Sequence, residues 1–400
     1  MTKTLGSSAL AFQDPVNVDP QWLSDQERRN YCKDDAAKQF TRLPDMLAFI
    51  EEREQNSSWH IGAATTSLSL MLLSDAALVQ AAATREVIID TENNTDLCIR
   101  GDGLPQVALR SCAISSLQDR AKIYGGALSK VSKPVLRNIL NECLKVAPEK
   151  ATTKIRLSED KVSAVLSSDY VPLSIPEIFN VATSYINSRF PQSYFSGGSW
   201  SHVITTAEWE LAGEEALIQT YKAALDKHGV PHDEIQPGLR LSSSDIGISS
   251  VNLIPKLVVG KDRLLLPLGG PVGLEHKGEA SMTKFMENLE GVFAQYCNQL
   301  ERLAQLLDIE IANPVNCMIG VMKRLRIPNK YSIPTLEVFQ RGFAESDYCT
   351  AHDIYYGLGE LLFQLQIHKA TGEQVLRMEE TIAKAMSLNF QDYDIPGETE

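Results

Sequence analysis

KIRLSEDKVSAVLSSDYVP, from Lys154 to Pro172, decides how this chain is read. Lys154 to Leu157 and Val162 to Leu166 carry apolar or β-branched side chains at alternate positions. Ser158, Glu159, Asp160 and Lys161 between them are polar enough to reverse the chain, so the segment predicts a hairpin. Its second strand runs into Ser167, Ser168, Asp169 and Tyr170, then Pro172, which cannot continue a central strand. That places a polar corner beside an aromatic ring. The corner reads either as a solvated hairpin end or as the rim of a site, and no nucleophile–base pair, metal-ligand set or phosphate loop accompanies it.

The surrounding chain has the makings of a packed core. It is 400 residues long and 44% hydrophobic, enough for two or three units. The longest apolar runs, Leu68 to Leu73 and Leu264 to Leu268, fall far short of a bilayer span. The first residues lack the sustained apolar core of a secretory signal, so a cytoplasmic location without membrane contact is expected. Seven scattered cysteines, never spaced CxxC, argue against a disulfide framework and a zinc knuckle. A formal charge of −13 repels nucleic acid on average, so any such contact needs a local basic patch.

Outward from the hairpin, the spacing predicts an α+β protein with antiparallel hairpins, flanking helices and a helical C-terminal layer. Residues 1–30 read as an N-terminal arm, 31–275 as the α+β body, 279–388 as the helical region and 389–400 as a loose acidic tail. Helices are expected over Asp34–Glu54, from Ser74 through Thr84, over Ser174–Phe190 and over Ala207–Lys227, with a short strand at Glu86–Asp90. Ser196-Gly197-Gly198-Ser199 reads as a flexible break and Trp200 to Thr206 as a strand. Lys256 to Leu268 reads as a hairpin around Gly260. Glu279 to Leu307 reads as one long helix whose apolar stripe makes either a bundle core or a self-association seam, and a homo-oligomer is expected from it.

Three polar features could carry function. Arg120, Lys122, Lys130, Lys133 and Arg137 lie in a stretch with no acidic residue and with Tyr124-Gly125-Gly126 inside it. This is either a solvated helix face or a track for a phosphate backbone with a ring to stack a base. Lys323 and Arg324, near Arg326 and Lys330, form a second basic cluster at a helix end. The loops holding Ser244-Asp245 and His276-Lys277 are rich in hydrogen-bonding or cationic groups. His60 beside Trp59 reads as structural.

Ile155 to Ser174, Leu239 to Leu253 (LRLSSSDIGISSVNL) and Leu274 to Gly278 (LEHKG) together resemble the domain-of-unknown-function family 932, as does Cys349 to Leu362. Members of that family, labelled phage- or plasmid-like proteins, show an Arg-bearing strand and turn, then AVLS-x-x-Y-x-P-L, S-x-S-[DE]-x-G-x-S and H-[RK]-G. Where many relatives carry a cysteine–asparagine–glycine segment before H-[RK]-G, this chain has Gly269-Gly270-Pro271-Val272-Gly273. The resemblance implies a mobile-element setting near replication, recombination or anti-defence functions, and no established reaction.

The expectation is therefore a non-enzymatic accessory protein binding nucleic acid, single-stranded DNA first, through Arg120–Arg137, His276, Lys277, Lys323 and Arg324, with neither cofactor nor metal. One alternative is a phosphoryl-transfer or nuclease-type enzyme in which Asp169, Asp245 and His276 hold a divalent cation. Another is an oligomeric protein-binding or anti-defence factor. On every reading Asp169, Tyr170, Ser244, Asp245, His276 and Lys277 should share one side of the body, because loops at one end of a sheet share a surface.

Overall fold

A computed structural model describes residues 37–72, 94–159, 161–232, 235–260, 264–343, 348–368, 370 and 372–397. The N-terminal arm, the helix from Ser74 through Thr84 and the strand at Glu86–Asp90 fall outside those residues. The first part of the chain forms β1 (Lys38–Phe40), α1 (Leu43–Gln55), β2 (Ser57–Ala64), β3 (Ser69–Leu72), β4 (Asn94–Gly101) and β5 (Leu104–Arg110). Then come α2 (Ser111–Ala121), α3 (Lys133–Lys145), β6 (Thr152–Ser158), β7 (Lys161–Ser167), α4 (Ile175–Arg189), β8 (Tyr194–Trp200), β9 (Thr205–Glu210) and α5 (Glu215–Lys227). Strands β10 (Ile235–Ser243), β11 (Val251–Val259), β12 (Leu264–Pro267) and β13 (Val272–Leu274) follow. The C-terminal region is helical: α6 (Met282–Glu290), α7 (Val292–Gln305), α8 (Pro314–Arg324), α9 (Asn329–Phe343), α10 (Ala351–Gly357), α11 (Glu360–Ile367) and α12 (Gly372–Ala385).

The expected hairpin is β6–β7, with Ile155 opposite Val165 and Arg156 opposite Ala164. Glu159 turns the chain at φ 52°. It sits inside a sheet ordered β2-β6-β7-β5-β4-β3, antiparallel except where Leu109 of β5 meets Val162 of β7 in parallel. Strand β7 is buried on both faces. Val162 and Val165 join Ile155, Leu109 and Leu140 in one core, and Ala164 and Leu166 join Tyr170 and Ile246 in a small second cluster. Helices α2 and α3 close the first core with Ala113, Leu117, Leu136, Leu140 and Leu144, spaced three or four apart.

The other sheet runs β1-β8-β9-β10-β11-β12, with β13 also on β11. Leu239, Leu241, Leu253 and Leu257 point to the larger core, shared with α4, α5 and the C-terminal helices. The body expected over 31–275 thus contains two sheets with separate cores, and the second is continuous with the helical layer. On the opposite face of β10 and β11, Arg240 pairs with Glu379 of α12 and Lys256 with Glu208. The buried Arg240–Glu379 pair fastens α12 to the sheet. No helix of the described residues is long and apolar enough to cross a membrane.

Several local expectations change. Ser196 to Ser199 is not a break but part of β8, and Thr205 to Glu210 is strand, so the helix starts at Glu215. Glycine suits β8 because a Cβ on Gly198 would stand 2.5 Å from Met46 Sδ and 3.0 Å from the Thr206 carbonyl. The long helix divides at Gly291 into α6 and α7. Phe285, Tyr296, Leu300 and Leu303 of its stripe are buried in the chain's own core. The described part of the acidic tail, residues 389–397, is docked rather than loose. Phe390 is fully buried, and the Asp394 carboxylate accepts from the amides of Ala312 and Asn313 at 2.9 and 2.6 Å, just ahead of α8.

Candidate functional site

The three polar loops meet where the sheets abut. Arg156, projecting from β6 away from the first core, donates through Nε to Asp245 (3.0 Å) and through a terminal nitrogen to Glu54 of α1 (2.6 Å). It is only 2% exposed. Burial works against its charge, but Asp245 and Glu54 outweigh that and raise its pKa. Its guanidinium lies 5.2 Å from the Trp59 ring centre, Trp59 lies 5.6 Å from Tyr170, and Tyr170 stacks on His276. The Tyr170 hydroxyl donates to the Ser244 carbonyl (3.3 Å), and Tyr170 and Lys277 form an isolated antiparallel bridge. Burial first, and then the Asp245 carboxylate, push the Tyr170 phenol above its ordinary pKa, so it remains protonated.

Beside this junction a cleft of about 40 Å³ separates the sheets. Its walls include Arg53 and Glu54 of α1, Arg156, Ser163, Trp200, His202, Ser243 and Asp245. Behind His202 stands Arg110, fully buried, with one terminal nitrogen 3.2 Å from His202 Nε2 and the other donating to the Ser158 carbonyl and to Glu159, each at 3.2 Å. Arg53 reaches the other oxygen of Glu159 at 3.0 Å and lies 4.0 Å from the Trp200 ring centre. Three buried guanidiniums are thus neutralised by Glu54, Glu159 and Asp245, which sit nearer to solvent. Among the sequence candidates only Ser244 and Asp245 line this cleft. Arg53, Arg110 and Glu159 escaped sequence reading because each is an isolated charge whose partner lies far along the chain.

Burial decides against one of the expected roles. His276 was assigned to nucleic-acid contact, yet it is 5% exposed, and burial lowers its pKa despite the hydrogen bond to the Val171 carbonyl. A neutral ring inside the fold cannot neutralise a phosphate; Lys277 alone of that pair is exposed. Of the residues offered as a divalent-cation set, Asp169 is exposed and Asp245 is engaged by Arg156. Among the described residues no group of three or more His, Cys, Asp or Glu side chains is placed to hold a metal ion.

The basic stretch forms the turn between α2 and α3. Lys122 ends α2 in a left-handed conformation (φ 56°); Lys122, Lys130 and Lys133 are exposed, and Arg120 and Arg137 half-buried. Tyr124 is 70% exposed, and a Cβ on Gly125 or Gly126 would meet nothing within 4 Å. Lys323 and Arg324 lie at the exposed end of α8, which packs in the larger core, whereas α3 packs in the smaller one. The two basic clusters therefore sit on separate supports.

Compared with known proteins, the chain matches no family model, no curated protein and no solved structure. Three of the segments quoted from the sequence touch one another through Arg156, Tyr170, Ser244, Asp245, His276 and Lys277.

Proposed function

We propose that this chain is a non-enzymatic accessory protein of a mobile genetic element that binds nucleic acid, single-stranded DNA in particular, through the turn between α2 and α3. The observation that carries this reading is Tyr124, an exposed ring on the same α2–α3 connection as the exposed Lys122, Lys130 and Lys133, with open space over two glycines. A base already free of its partner can stack on such a ring while neighbouring phosphates meet the lysines; a duplex offers no such face. The absence of any acidic side chain from Arg120 to Arg137 keeps that contact from cancelling itself in a molecule of net charge −13. The phage- and plasmid-like resemblance of the three segments supports the setting.

The test is fluorescence anisotropy with a labelled single strand of about 16 nucleotides across a salt series. Tyr124→Ala should weaken binding roughly 5- to 150-fold, the loss of one stacked base. Lys130→Ala with Lys133→Ala should reduce the slope of log K against log salt by about 1.4, or about 0.7 per phosphate. A wild type that binds duplex as well as single strand, or variants that bind like wild type, would sink the reading. A second reading, a protein-binding or self-assembling factor, draws on Phe363 and Ile367, exposed apolar side chains one turn apart on α11.

A further inference from the structure

We propose that the cleft between the sheets binds a phosphate-type oxyanion, either inorganic phosphate or a phosphate monoester, between Arg53, Arg156 and the Ser243 hydroxyl. The charges there are arranged asymmetrically. The Arg53 and Arg156 side chains are 9% and 3% exposed, and that of Arg110 behind them is 0% exposed. The carboxylates that neutralise them are 31–37% exposed. Glu54, Glu159 and Asp245 can therefore turn toward water at modest cost, whereas the guanidiniums cannot leave. Planar guanidinium forks bind phosphate in paired hydrogen bonds, so an incoming oxyanion can take the place of a carboxylate.

The second observation is Ser243. Ser243 is on the cleft wall and 0% exposed, and its hydroxyl oxygen is buried without a hydrogen-bond partner. Buried hydroxyls are normally paired, so this one calls for a group from outside the chain. The cleft has room for roughly three water positions, about the extent of one tetrahedral oxyanion at the open mouth. Trp200, Ile50 and Ile175 are also on its walls, and their apolar surface strengthens charge-assisted bonds beside them.

The proposal rests on the cleft alone and is separable from the nucleic-acid reading. Full-length protein is titrated with sodium phosphate, against sodium chloride at equal ionic strength, by thermal shift and calorimetry. A saturable rise in Tm with phosphate alone is expected. Ser243→Ala should weaken phosphate about 5-fold, the loss of one hydrogen bond. Glu159→Gln keeps the size of the side chain but removes a competing negative charge and one of its two acceptors, so phosphate should bind several-fold tighter. Equal Tm in phosphate and chloride, or unchanged phosphate binding in both variants, would overturn the proposal. A 5′-phosphorylated oligonucleotide compared with its 5′-hydroxyl form then separates the sources. A gain for the phosphorylated strand that Ser243→Ala removes identifies a strand end, whereas equal binding of both strands, with saturable inorganic phosphate, identifies the free ion. Binding of the 5′-hydroxyl strand reports on the Tyr124 turn and not on the cleft.

Discussion

The imidazole of His276 lies flat against the ring of Tyr170, with centres 5.0 Å apart and planes 10° from parallel. The chain around the pair is stitched in both directions. The Val171 amide donates to the His276 carbonyl at 2.8 Å, and His276 Nδ1 lies 3.1 Å from the Val171 carbonyl. A carbonyl only accepts, so Nδ1 carries the proton and the ring is held as one neutral tautomer. Two segments about a hundred residues apart are thereby locked in register at the meeting point of the sheets.

Stability should fall as the pH drops below neutrality. Burial lowers the pKa of His276 from its usual 6.5, and burial pushes His352, whose Nε2 lies 2.6 Å from the Tyr221 hydroxyl, down to about 4. A histidine whose folded pKa is depressed binds fewer protons folded than unfolded. Its contribution is full above 6.5 and is lost as the pH falls toward the folded value, by at most about 1.4 kcal/mol per pH unit for each ring. Urea midpoints measured between about pH 7.5 and pH 4.5 give the slope. His276→Gln should flatten it; an identical slope in that variant would show that this ring plays no part.

Arg156→Ala should cost about 3 kcal/mol, near the low end for breaking a buried ion pair, because Glu54 and Asp245 keep some contact with water. Denaturant unfolding measures it. A loss below about 1 kcal/mol, the value of a surface pair, would mean that the junction does not hold the sheets together.

Gly247 has φ 76°, and a Cβ there would stand 3.0 Å from Leu166 Cδ2 and 3.8 Å from Tyr170 Cε2. Gly247→Ala should therefore destabilise by about 1–2 kcal/mol through the left-handed backbone, with crowding added. Gly270→Ala, in open space, is the control. Equal melting temperatures for the two variants would refute the strain argument.

Leu300→Asp with Leu303→Asp should abolish folding instead of releasing a smaller species. Leu300 is 2% exposed and Leu303 fully buried in the larger core, where an unpaired carboxylate is strongly disfavoured. Circular dichroism and size-exclusion mass decide the matter. A folded variant of lower mass than the wild type would mean instead that the stripe joins two copies.

The sequence by itself determined the elements whose side chains repeat with a local period. The β6–β7 hairpin shows alternation around four polar residues, and α4 starts at a serine that caps Glu177, followed by Pro176 in the first turn. That periodicity arises within a few residues, so it is written locally. It was enough for the α+β class.

Tertiary structure decided what depends on neighbours distant in the chain. Strand β8 contains two adjacent glycines, which local propensity disfavours, and the close approach of Met46 and Thr206 settles it. His276 has the same formula on the page whether it is a surface cation or a buried neutral ring; only packing against Tyr170 removes its charge. The cleft is the clearest case, because Arg53 meets Glu159 across 106 residues and Arg156 meets Asp245 across 89. Charge pairing is long-ranged in sequence and short-ranged in space, so no local pattern records it.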